Sequence, residues 1–196
     1  MLRTFLISFF VAAFLFTSKA QFSIGITLSG IGFHPRKEKY ENTDLYKWNI
    51  DKKGRFVAFS SLTFFLSYRF NNYIGVKLMQ SIVSHDCAGH FAGITHFGID
   101  LHDDILAMKN PQHQFSVSFG PFWYYRKNWN TEPNYMHDAK YLKLSNNHIW
   151  ETKFVWYGGQ VEYSYLPDNS NIAYTVNFLP AIPYLYTLGV GAKYIQ

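Results

Sequence analysis

Three side chains that could do chemistry crowd one stretch of this chain: Ser81, His85 and His90, with Asp86 beside them. A serine and a histidine are the parts of an acyl-transfer site, in which the imidazole takes the proton from the attacking hydroxyl. Ser81 and His85 share one face of an extended strand, but their spacing puts them roughly 13 Å apart by rise alone. That exceeds the reach of a nucleophile–base hydrogen bond and weakens Ser81, His85 and His90 as catalytic candidates. The same stretch offers His85, His90 and Asp86 as two imidazoles and a carboxylate, a set that suits zinc and other transition metals. The plainer account leaves these histidines hydrogen-bonded to one another and to neighbouring strands. No zinc-type Cys/His spacing, phosphate loop or nucleophile elbow occurs, and no cofactor is implied.

The elements that must position these residues are strands. Period-two alternation recurs along the chain from residue 21 onward, and no sustained helical period competes with it. Phe22, Ile24, Ile26 and Leu28 alternate with Ser23, Gly25, Thr27 and Ser29. Further runs begin at Phe56, Ile74, Phe91, Phe115, Val155, Ile172 and Tyr184, which makes eight in all. In the sixth, Val155, Tyr157, Val161 and Tyr163 are set against Gln160, Glu162 and Ser164. A hairpin at 86–89 would put His85 opposite His90, Ser81 opposite Ile94 and Met79 opposite His96.

Eight successive alternating segments argue for an all-β fold, an antiparallel up-and-down meander closed into a barrel. Alternation alone does not say which face is inside. A lipocalin-like carrier would turn its apolar face inward, around a ligand. A membrane barrel would turn it outward, against lipid. The second face is rich in Ser, Thr, Gly and Asn, small groups that suit a crowded polar lumen better than a water-washed surface. Tyr and Trp near the strand ends fit interfacial girdles, so the transmembrane barrel is the expectation. Arg55, Arg69, Lys77, Asp100, Arg126, Glu162 and Lys193 would then fall in the lumen. An eight-stranded barrel is narrow enough to be filled by side chains, so these charges must pair and plug it.

Composition points the same way. Aromatic residues make up 20% of the chain, and charged residues only 16% against a typical value of about 25%. Cys87 is the one cysteine, which rules out an intrachain disulfide. The net charge of +5 is spread along the chain with no dense basic tract, so nucleic acid is not an expected partner. Arg3, the apolar run Phe5–Phe16 and the small-x-small exit Ser18-Lys19-Ala20 make residues 1–20 a cleavable signal peptide, with a barrel domain over 21–196. With both ends in the periplasm, residues 35–54 and 128–148 become long external loops. The first mixes Lys and Arg with Glu and Asp; the second carries Trp129, Tyr135, Met136, Tyr141 and Leu144.

On these alternating segments, the chain resembles the small eight-stranded outer-membrane barrels of Gram-negative bacteria. That class includes outer-membrane protein X, the membrane domain of outer-membrane protein A, and lipid A deacylases and palmitoyltransferases. Gln21 after Ala20 and the Phe/Tyr/Asn-rich composition are similar to Bacteroidetes envelope proteins. Tyr186, Leu188, Val190 and Tyr194 near the end resemble the signal read by the barrel-insertion machinery, although the chain ends in Ile195-Gln196. The resemblance implies an outer-membrane monomer whose partners are membrane lipid, lipopolysaccharide and that machinery. The closely spaced His-x-Ser of the deacylases and the Asp-Ser pair of the palmitoyltransferases are absent. The expected role is therefore a closed, non-enzymatic barrel acting through its external loops. A lipid A-modifying enzyme using Ser81, His85 and His90 is the alternative, and a lipocalin-like carrier the third.

Overall fold

The computed structural model describes residues 21–33, 48–53, 55–85, 90–103, 112–128, 133, 143–144, 149–181 and 185–196; at 84, 85, 143, 144, 180, 181 and 185 it describes backbone alone. The expected signal peptide 1–20, Asp86 with the 86–89 hairpin, and most of the two long loops lie outside these residues.

Eight long strands build the wall: β1 (Gln21–Phe33), β2 (Phe56–Arg69), β3 (Ile74–His85), β4 (Ala92–His102), β5 (His113–Lys127), β6 (Trp150–Tyr165), β7 (Ile172–Ala181) and β8 (Leu185–Ile195). Each pairs antiparallel with the next, and β8 pairs back onto β1 from Ser23↔Ile195 to Phe33↔Tyr186, which closes the barrel. A two-residue strand, Lys143–Leu144, lies against Glu151 and Thr152 of β6. Gln21, Gln196 and the turns at 70–73 and 166–171 share one rim, called here the terminal rim. The opposite rim is the distal one. At the terminal rim, Asn71 Oδ1 accepts from the amides of Tyr73 and Ile74 (2.9 Å each), and Asn169 adopts a positive φ of 59° in the next turn.

Polarity runs opposite to that of a water-soluble barrel. Ile24, Leu28, Phe64, Phe97, Ile99, Phe119, Ile172, Tyr174, Leu188 and Val190 are exposed, whereas Thr27, Lys77, Asp100, Glu162, Asn177 and Lys193 are buried. The lipocalin-like carrier required the reverse, so that reading is overturned. Alternation places one face in and one out with few exceptions, because the side-chain period of a strand is two.

One exception moves an expected face. Pro121 in β5 has no N–H to give the ladder, and two residues of β6, Trp156 and Tyr157, stand opposite it. Both aromatics end outside, 77% and 85% exposed. The phase of β6 therefore flips: Val155, expected outside, pairs with the inward Phe122, and Phe154 takes the outer face.

The end of the first long loop is folded against β2. Ile50 bridges to Val57, and Asp51 accepts from the amides of Phe56 (2.6 Å), Arg55 (2.6 Å) and Lys53 (3.2 Å). The Phe56 amide foremost, with those of Arg55 and Lys53, holds the Asp51 carboxyl below the ordinary aspartate range.

Candidate functional site

Of the Ser81 group, Ser81 and His90 have described side chains, whereas the His85 side chain and Asp86 lie outside the described residues. Ser81 is buried on the inner face of β3 and pairs with Ile94, as expected, and Met79 with His96. The β2–β3 register then shifts: Ser61 pairs with Val83 but Ser60 with His85. His90 is half-buried just before β4, and the β3–β4 register among the described residues ends at Val83↔Ala92. Asp86 is outside the described residues. Among the described residues, no three His, Cys, Asp or Glu side chains cluster as metal ligands.

The lumen is where the chemistry-bearing groups meet. Near the terminal rim Glu162 of β6 accepts from Lys77 of β3 (2.5 Å) and Lys193 of β8 (2.8 Å), with Ser164 Oγ donating as well (3.0 Å). Lys77 and Glu162 are 2% and 3% exposed, and the Lys77 ammonium also lies over the Phe65 ring, 4.6 Å from its centroid. Three strands are tied together across the barrel by one carboxylate. Beside this tie, His102 bridges Asp100 (3.2 Å) and Arg69 (2.8 Å). Gln160 donates to Asn177, whose amide donates to Thr27 Oγ1, each at 2.9 Å. At the distal rim Arg126 Nε donates to Glu151 at 2.6 Å.

The expected lumen charges are thus largely in place, with two changes. Arg55 is exposed at the distal rim, because β2 begins only at Phe56 and residue 55 precedes the wall. Glu151, the partner of Arg126, was missed because its run was counted from Val155. Its position, with Arg126 directly across the β5–β6 hairpin, was the signal that could have found it.

Between the two charged zones is an apolar layer that polar-face reasoning did not anticipate: Phe65, Met79, Ile94, Phe122 and Leu179, with Tyr124 packed on it. His96 stacks on Phe122, ring centroids 4.1 Å apart. Its Nδ1 lies 3.1 Å from the Pro121 carbonyl, which can only accept, so Nδ1 carries the proton and Ser118 Oγ donates to Nε2 at 2.7 Å. This is nucleophile–base spacing, yet His96 and Ser118 are 0% and 1% exposed. A substrate has no approach to a pair buried this way. Gly158 faces Phe122 so closely that a Cβ there would collide with the ring.

Among the described residues, paired charges and an apolar layer fill the lumen. The molecule is a closed eight-stranded barrel with its apolar side outermost.

No family model matches this chain, and no curated protein does. Among solved structures it is similar to Ail, the attachment invasion locus protein of Yersinia pestis, solved with the heparin analogue sucrose octasulfate: 13% identity, 90% of this chain, 97% of that one, TM-score 0.47. It is also similar to the N-terminal β-barrel domain of Pseudomonas aeruginosa OprF: 10% identity, 89% of this chain, 97% of that one, TM-score 0.45. These likenesses concern fold only.

Proposed function

We propose that the protein is a monomeric, non-enzymatic outer-membrane barrel with a sealed lumen, acting through its outer surface and its external loops 35–54 and 128–148. The observation that carries this reading is the inverted polarity. A contiguous belt of exposed Ile, Leu, Val and Phe encircling a charged interior is stable only where lipid replaces water. Short turns at the terminal rim fit the periplasmic side, which turns the distal rim outward. Lys52, Lys53, Arg55 and Lys127 are exposed at or near that rim, where cations complement the phosphates of lipopolysaccharide.

Val190, exposed on β8 between Leu28 and Val176 of the flanking strands, tests the belt. Val190→Arg should destabilise a bilayer-embedded barrel by about 2–4 kcal/mol, measured by urea unfolding in lipid vesicles. In a water-exposed barrel the change would stay within about 0.5 kcal/mol. The wild-type chain should require detergent for extraction; recovery in a soluble periplasmic fraction would overturn the reading. Lipid A from cells with and without the protein should carry the same acyl chains. A changed pattern would sink the non-enzymatic assignment.

A further inference from the structure

Gln80 breaks the rule of the outer wall. It lies on the outward face of β3, between Leu78 and Ile82, where its neighbours are apolar. Its amide Nε2 donates to the Ser81 carbonyl (2.9 Å) and the Tyr125 hydroxyl (2.8 Å), and its Oε1 accepts from Thr95 Oγ1 (2.7 Å). The Ser81 carbonyl can only accept, which fixes which end of the amide is nitrogen. Tyr125 therefore receives a proton from Gln80 and keeps its own to give. Gln80 is the hydroxyl's one hydrogen-bond partner among the described residues.

The ring is held for that purpose. Tyr125 lies across β4 over Gly93, where a Cβ would collide with its ring and hydroxyl. Phe91 and Trp150 flank it, with centroids 6.3 Å from the ring in each case. Lys127 is the next outward residue of β5 toward the distal rim, roughly 6.6 Å above Tyr125 by strand rise, and it is exposed. A phenol donor set below an ammonium matches a lipid that carries a phosphate above an ester. In hydrocarbon a donor without an acceptor is costly, so the site favours a lipid oxygen at that depth.

We propose that Gln80, Thr95 and Tyr125 form a lipid A site, with the Tyr125 hydroxyl donating to an acyl-ester carbonyl and Lys127 pairing with the phosphate. This rests on the membrane-spanning reading above, and lipid A is chosen because the site faces the distal leaflet under a basic rim.

The test is native mass spectrometry of the folded full chain in detergent, with lipid A or phosphatidylglycerol added. Lipid A should be retained in preference to phosphatidylglycerol. Tyr125→Phe keeps the ring and should cut lipid A retention about fivefold, the loss of one hydrogen bond. Lys127→Gln and Gly93→Ala should also reduce it, while Tyr174→Phe, an outward tyrosine on β7, should not. Heat-modifiability on gels checks that each variant is folded. Equal retention by the wild type and Tyr125→Phe, or equal retention of the two lipids, would overturn the proposal. A detergent-requiring barrel with unaffected Tyr125→Phe sinks this site alone; a soluble chain sinks the membrane reading too.

Discussion

Glu162→Ala should lower the stability of the barrel by about 3–5 kcal/mol, the largest loss expected from any single charge removal in the lumen. The substitution leaves the Lys77 and Lys193 ammonium groups facing each other with no carboxylate between them, in a site with almost no solvent. Most of the loss comes from the two stranded cations and only part from the contacts themselves. That distinction gives the second half of the experiment. Replacing all three residues together, Lys77→Met, Glu162→Leu and Lys193→Met, removes the charges as well as the contacts and should recover much of the loss. Urea midpoints in lipid vesicles read both variants. A triple variant as unstable as Glu162→Ala would show that the tie is favourable in its own right.

Phe122→Ala should cost a comparable amount, about 3–5 kcal/mol, by emptying the middle of the apolar layer. Phe122 fills the space over Gly158 and stacks on His96, and no neighbour can close the gap without pulling a strand inward. The matched control is Phe97→Ala on the neighbouring strand β4. Phe97 is outward and exposed, so in a bilayer its truncation leaves lipid to take the ring's place and should cost far less. Equal losses from the two substitutions would mean that the inner layer is not packed as described.

Much of this architecture was legible in the residues. The faces of β1, β3, β7 and β8 read off directly, because small polar groups and large apolar ones alternate there with few interruptions. What escaped has three physical causes. The flip at Val155 follows from Pro121, and a proline inside an alternating run is itself the signature of a bulge. Phe65, Met79, Phe122 and Leu179 sit on the mainly polar face, and a rule that equates that face with a hydrophilic lumen has no place for apolar filler. The His96–Ser118 pair and the Gln80–Tyr125 link join residues far apart in sequence, and only the register brings them together. The cluster of Ser81, His85 and His90 is close in sequence, and the His85 side chain that would join it lies outside the described residues.

The closing seam sets the order in which the barrel can form. β1 is the first strand made and needs two neighbours: β2 follows it directly, whereas β8 comes last. The seam from Ser23↔Ile195 to Phe33↔Tyr186, with the Gln196 amide bonded to the Phe22 carbonyl, joins the two ends of the barrel domain. Until the final residues emerge, the outer edge of β1 is an open row of donors and acceptors, and so is whichever strand was made most recently. Closure of so long a loop is slow compared with hairpin formation, and an open edge invites pairing with another chain. The last eleven residues of wall, Leu185–Ile195, therefore act as a latch, and a chain cut short before them keeps two adhesive edges however sound its other strands.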